Sequence, residues 1–123
     1  MDLDDTLTVA DGGDYRDVAP RGDVVERLRE YRARGFEIVL YTARNMRSYQ
    51  GNLGKINVHT LPVILDWLAR HDIPYDEVIL GKPWCGHDGF YVDDRAVRPD
   101  EFVRLGYDGI RALLGMDAAA EQR

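Results

Sequence analysis

The chain has little that would serve it outside a reducing, aqueous compartment. Cys85 is the only cysteine among 123 residues, which excludes an internal disulfide and any zinc site built from several thiolates. No apolar run approaches the roughly 20 residues that a membrane span requires, and no segment resembles a signal peptide. The expectation is a soluble, cytoplasmic protein. Basic charge is also scarce: 16 Lys and Arg stand against 22 Asp and Glu, a formal net charge of −6. Binders of nucleic acid or anionic membrane carry a basic footprint, so neither is the expected partner. An anionic substrate remains open, through a local site holding a metal or a few placed cations. Internal repeats, low-complexity tracts and long charge blocks are missing too. What is present is an ordinary globular balance, 45% hydrophobic and 31% charged. The length fits one domain, expected over residues 1–115, with 116–123 as a frayed tail.

Strand and helix signals alternate. Residues 9–21 are rich in Gly, Asp and Pro and read as a loop. The stretch GDVVERLREYRARG puts Val24, Leu28 and Tyr31 on one helical face and stops at Gly35, a natural helix terminator. FEIVLY (36–41) reads as a buried strand. Residues 43–59 are polar and read as a long loop, a candidate substitute lid. Thr60 is expected to cap a helix carrying Leu61, Ile64, Leu65 and Leu68. DEVILG is a short strand, KPWCGHD a loop, GFYV a further strand, and PDEFVRLG and YDGIRALLGM closing helices. Such alternation predicts a parallel sheet in a three-layer, Rossmann-like α/β fold. A central strand feeding Asp2 should bring several apolar residues, yet only Met1 precedes it, so a native start upstream is expected.

Ligands of open α/β sheets bind at the carboxyl ends of the strands. Those ends deliver Asp2 and Asp4, then Thr42, then Gly81-Lys82, then Asp93-Asp94. Acids, a hydroxyl and an ammonium are what phosphoryl transfer through an aspartyl-phosphate uses. One carboxylate attacks phosphorus and a second acid protonates the leaving oxygen. Mg²⁺ gathers the carboxylates, and the hydroxyl and ammonium hold the phosphoryl oxygens. Mg²⁺ is therefore the expected cofactor, since it takes hard oxygen ligands.

MDLDDTLT, YTAR, GKPW and YVDDR, in that order, resemble the four motifs of the haloacid dehalogenase superfamily of phosphohydrolases. The longer strings NLGKINVHTLPVILDWL and GKPWCGHDGFYVDDRAVRPDEF are similar to a small, capless subgroup of capsule-biosynthesis phosphatases. The resemblance implies Asp2 as nucleophile and Asp4 as general acid, then base. It implies Mg²⁺ on Asp2, the Asp4 backbone carbonyl and Asp93, with Asp94 as ligand or orienter. Thr42 and Lys82 would hold the phosphoryl oxygens. An Asp at position 4 marks the phosphatase branch rather than the dehalogenase branch. The implied substrate is a sugar phosphate or related metabolite of surface-polysaccharide synthesis.

Other residues are candidates for substrate contact. Ala43, Arg44, Asn45 and Lys55 lie in the loop past Thr42, and Trp84 and His87 lie past Lys82. Cys85 and His87 make only half a zinc site. Asp5 reads as a loop or capping residue, His59 as a helix-entry residue and His71 as a solvated helix end. Neither interval between motifs has room for a cap domain, so the site should be open or covered by a second subunit of a homo-oligomer. A nucleotide or other small-metabolite phosphatase is an alternative, with Trp84 or Tyr49 stacking on a base, and so is a non-catalytic scaffold that kept the fold.

Overall fold

The computed structural model describes residues 1–10 and 14–116. From residue 117 onward, the expected frayed tail lies outside the described residues. These fall into two compact units, Met1–Cys85 and a second beginning at Gly86.

The first unit is a mixed α/β arrangement built around two parallel strands. Helix α1 (Gly22–Ala33) buries Val24, Val25, Leu28 and Tyr31, the stripe expected from the spacing. It closes as the Gly35 signal predicts. The Gly35 N–H bonds to the Arg32 carbonyl and the Phe36 N–H to the Tyr31 carbonyl, with Gly35 at φ +93°. Phe36 then sets its ring edge-on against Tyr31, centroids 4.9 Å apart. This glycine-closed terminus with its hydrophobic contact reverses the chain into the sheet.

Strand β1 (Val39–Thr42) pairs in parallel with β2 (Glu77–Leu80), Val39 opposite Glu77 and Thr42 opposite Leu80. The strand expected at 36–41 therefore starts three residues later, and Thr42 lies inside it rather than past it. The cause is local. Phe36 is drawn into the α1 terminus, and the Ile38 N–H goes to the Asp76 carboxylate at 2.7 Å instead of to a ladder. On the edge of β1 away from β2, Met1 makes both bonds of a ladder step. Its nitrogen donates to the Val39 carbonyl at 2.7 Å and its carbonyl accepts from the Tyr41 N–H at 2.8 Å. The expected first strand is thus a single residue wide here.

Between β1 and β2 the chain is not the loop that its polarity suggests. Residues 43–52 turn, and Leu53–His59 form helix α2, capped by Asn52, whose side chain accepts from the Lys55 N–H at 3.1 Å. His59 ends this helix rather than entering the next. Helix α3 (Leu61–Arg70) follows at once, burying Ile64, Trp67 and Leu68 while leaving Leu65 exposed. Thr60 does not cap it. An N-cap needs extended backbone, whereas Thr60 sits at φ −96°, ψ −46°, and its hydroxyl donates to the Asn45 side chain at 2.8 Å. His71, expected to be solvated, packs its ring 4.9 Å from that of Trp67. Trp67 is fully buried and donates to the Val18 carbonyl at 2.7 Å, tying the 14–20 segment to α3.

The second unit carries helices α4 (Pro99–Arg104) and α5 (Tyr107–Leu113), as expected. The GFYV strand is not formed. Phe90 and Val92 are 80% and 89% exposed, and no strand is assigned in this unit among its described residues. An apolar run becomes a strand only where a neighbouring ladder accepts it, and composition cannot supply one.

Asp76 fastens the entry of both strands, taking the Ile38 N–H and an Arg32 guanidinium 2.9 Å away. Those two contacts, the arginine first, hold its carboxyl below the ordinary carboxylate value. A depressed folded value means stability that is present at neutral pH and lost as the pH falls through it. Asp76→Asn should therefore be less stable than the wild type at pH 7, by a margin that shrinks in acid. Urea denaturation across a pH series reads this directly, and a margin independent of pH would count against the assignment.

Candidate active site

The turn that follows Met1 is shaped by alternation. Leu3 and Leu7 are fully buried, so Asp2 and Asp4, on either side of Leu3, turn outward. The Leu3 carbonyl receives the N–H groups of Thr6, Leu7 and Thr8 at 3.3, 2.9 and 3.1 Å, winding the chain tightly behind the two acids. Asp5 takes the left-handed conformation at φ +61°, and its N–H bonds to the Thr8 hydroxyl at 3.0 Å. It has the structural place expected of it.

Each outward acid has its own partner. Asp2 accepts from the Thr6 hydroxyl at 3.0 Å through one oxygen, while the other faces Lys82 Nζ at 3.8 Å. Asp4 is gripped by Arg44 in a fork, Nη2 to Oδ1 at 2.8 Å and Nε to Oδ2 at 3.2 Å. Such bidentate, charge-assisted pairs are the strong ones. Two crowded carboxylates are thus met by two cations from distant parts of the chain.

Arg44 is the departure from expectation. The sequence puts it in a polar loop facing a substrate, but it is 3% exposed. Its N–H bonds to the buried Thr42 hydroxyl oxygen at 3.1 Å, which folds the chain back at the end of β1. Its guanidinium lies 4.1 Å from the centroid of the Tyr15 ring. The Nη1 nitrogen is buried and has no hydrogen-bond partner among the described residues. Tyr15 escaped notice because a tyrosine in a Gly- and Asp-rich loop carries no periodic signal. Burial, and then the Asp4 carboxylate, push its phenol above the ordinary value, so it stays neutral.

The remaining expected residues divide. Lys82 continues the β1–β2 pairing one step, its N–H bonding to the Thr42 carbonyl at 3.1 Å. Ala43 is half-buried beside Thr42, and Asn45, at φ +62°, is occupied by Thr60 and Ser48. Lys55 is exposed on α2. Trp84 is 44% exposed with the Arg47 guanidinium 5.3 Å from its ring centroid, a contact that the sequence reading lacked. His87, Asp93 and Asp94 belong to the second unit and are exposed there, with Asp93 accepting the Arg95 N–H at 2.9 Å in a local turn. Among the described residues no three His, Cys, Asp or Glu side chains are gathered into a metal cluster. The donors that the first unit does offer, the Asp2 carboxylate and the backbone of the same turn, are hard oxygens of the type Mg²⁺ takes.

The chain is similar to the crystal structure of a target protein from Vibrio cholerae, at 62% identity over 94% of each chain and a TM-score of 0.91. No family model matches it. No curated protein matches it either.

Lys82 owes its aim to Gly81, which sits at φ +86°, where a Cβ would lie 2.8 Å from Leu53 Cδ2. The Leu53 side chain can move, but the backbone strain cannot be relieved. Gly81→Ala should cost about 1–3 kcal/mol, read by urea denaturation. A loss near zero would show that the turn is not constrained.

Proposed function

The chain belongs to the family of that Vibrio cholerae protein. From its own site and motifs we propose that it is a Mg²⁺-dependent phosphomonoesterase working through an aspartyl-phosphate. The observation that carries the reading is the company kept by Asp2 and Asp4. Residues 2, 4, 42, 44 and 82, scattered in sequence, meet through Lys82–Asp2, Arg44–Asp4 and Arg44–Thr42 contacts. A solvated acidic turn has no use for a buried arginine and a hydroxyl at its back. Resemblance to haloacid dehalogenase phosphatases adds the roles, and with them the finer fold, a three-layer Rossmann-like sheet.

Asp2 is the nucleophile in this reading. One carboxylate oxygen stays clear of the Thr6 hydrogen bond and attacks phosphorus as the bond to the leaving oxygen breaks. The leaving oxygen takes its proton from Asp4. Asp4, then a carboxylate, removes a proton from the water that hydrolyses the phosphoaspartate. Thr42 and Lys82 hold the phosphoryl oxygens, and Lys82 also keeps charge balance beside Asp2. Asp2, the Asp4 carbonyl and Asp93, with Asp94, are the residues that would hold Mg²⁺. When bound, the ion supplies charge neutralisation for the transferring group.

The substrate class is a sugar phosphate or related metabolite of capsule or surface-polysaccharide synthesis. Trp84 with Arg47, and Asn45, Lys55 and His87, are the side chains offered for the leaving group. Resemblance to the capless subgroup is what supports this class.

Asp2→Asn should reduce Mg²⁺-dependent release of phosphate from 4-nitrophenyl phosphate by three orders of magnitude or more, since the nucleophile is removed. Retention of most of the activity, with the wild type active, would show that another group attacks phosphorus.

A further inference from the structure

Acidic residues are common in this chain, 22 of 123, yet residues 38–65 hold none and neither do residues 78–87. Those two segments carry Arg44, Arg47, Lys55 and Lys82. In a protein of net charge −6, cations are thus gathered where carboxylates are missing. Arg44 and Lys82 are answered from elsewhere, by Asp4 and Asp2. Arg47 and Lys55 enter no ion pair among the described residues.

Arg47 is held in place all the same. The turn that carries it is wound on itself. The Met46 N–H bonds to the Ala43 carbonyl at 3.0 Å, the Tyr49 N–H to the Asn45 carbonyl at 3.0 Å and the Gly51 N–H to the Met46 carbonyl at 2.9 Å. Asn45 pins this turn to the body of the unit, since its side chain accepts from the hydroxyl of the buried Thr60. The Arg47 guanidinium then lies 5.3 Å from the centroid of the Trp84 ring. An aromatic face positions a cation without neutralising it, because the ring carries no net charge. A solvated arginine needs neither the wound turn nor the ring. Trp84 stands two residues beyond Lys82, so the uncompensated charge is set near the strand end proposed to hold the phosphoryl group.

We propose that Arg47 is a specificity residue that receives a second anionic group, a carboxylate or a further phosphate, on the leaving part of the substrate. The proposal rests on the phosphatase reading and narrows its substrate class to sugar phosphates carrying such a second charge. Thr42 and Lys82 take the transferred group, so a molecule with one phosphate leaves Arg47 unanswered. The planar fork of an arginine fits either anion through paired N–H donors. Lys55, exposed on α2, adds charge to the same segment and a smaller share of the preference.

Competition with 4-nitrophenyl phosphate in Mg²⁺ reads this whether or not the competitor is cleaved. Glucose 6-phosphate offers one anion, glucose 1,6-bisphosphate adds a phosphate and 6-phosphogluconate adds a carboxylate. At least one of the doubly anionic compounds should inhibit the wild type at a concentration roughly ten-fold below that of glucose 6-phosphate. Which of them does so identifies the second group. Arg47→Ala should bring the three concentrations close together, and Lys55→Ala should narrow the gap in part. The ratio between competitors is the readout, so a general loss of activity in a variant cancels. Arg47→Gln, which keeps the bulk and loses the charge, carries the test if Arg47→Ala proves unfolded by circular dichroism. A wild type without the preference, or a preference that survives removal of the Arg47 charge, would overturn the inference and leave the phosphatase reading standing. A wild type inactive on 4-nitrophenyl phosphate with Mg²⁺ present would instead overturn the phosphatase reading, and the inference with it.

Discussion

The contact on which the rest of the first unit turns is the fork between Arg44 and Asp4. Three carboxylates within residues 2–5 repel one another, and a turn that tight would open if nothing positive faced it. Arg44 reaches them from the end of β1 because its own N–H is captured by the Thr42 hydroxyl, which bends the backbone back toward the turn. Thr42 in turn is held by its place opposite Leu80 and by the Lys82 N–H on its carbonyl. The order of dependence runs from β2 to β1 to Arg44 to Asp4. Leu3 and Leu7, both fully buried, anchor the turn that carries the two acids.

Much of this could be read from residue pattern. The α1 stripe, its glycine terminus, the α3 face and the β2 strand follow from spacing and from one well-placed Gly. Lys82 meets Asp2 and Thr42 as the expected order of motifs has it, although Thr42 lies inside β1. Other features depend on information that spacing does not carry. Helix α2 is masked by Gly54, by Gly51 just before it and by polar residues, and becomes visible only through the Asn52 cap. Phe36 and Ile38 look like strand but are claimed by the α1 terminus and by Asp76. GFYV has strand composition and no ladder. Arg44 looked solvated because arginines in polar loops usually are. Its burial is decided by tertiary pairing with Asp4 forty residues away. The Tyr15 ring contact with Arg44 is likewise a tertiary pairing that spacing does not carry.

The site that emerges differs in emphasis from one defined by motifs. Motifs give the groups proposed to touch phosphate. The structure adds a buried cation, Arg44, which grips both oxygens of the second acid. The chemistry of the proposed reaction then has a physical logic, with Lys82 balancing the attacking acid and Arg44 balancing the proton donor. The Thr6 hydroxyl donates to Asp2, and the Tyr15 ring stacks on the Arg44 guanidinium. Acids this close in sequence are each paired with a different cation in a different degree of burial.

The most direct test of the central claim is the melting temperature in Mg²⁺ with beryllium fluoride, which mimics a phosphorylated aspartate. Binding to the folded form alone stabilises it by linkage. The account predicts a rise of several degrees that needs Mg²⁺ and beryllium fluoride together and disappears in Asp2→Ala. No rise in the wild type, or an equal rise in Asp2→Ala, would contradict it.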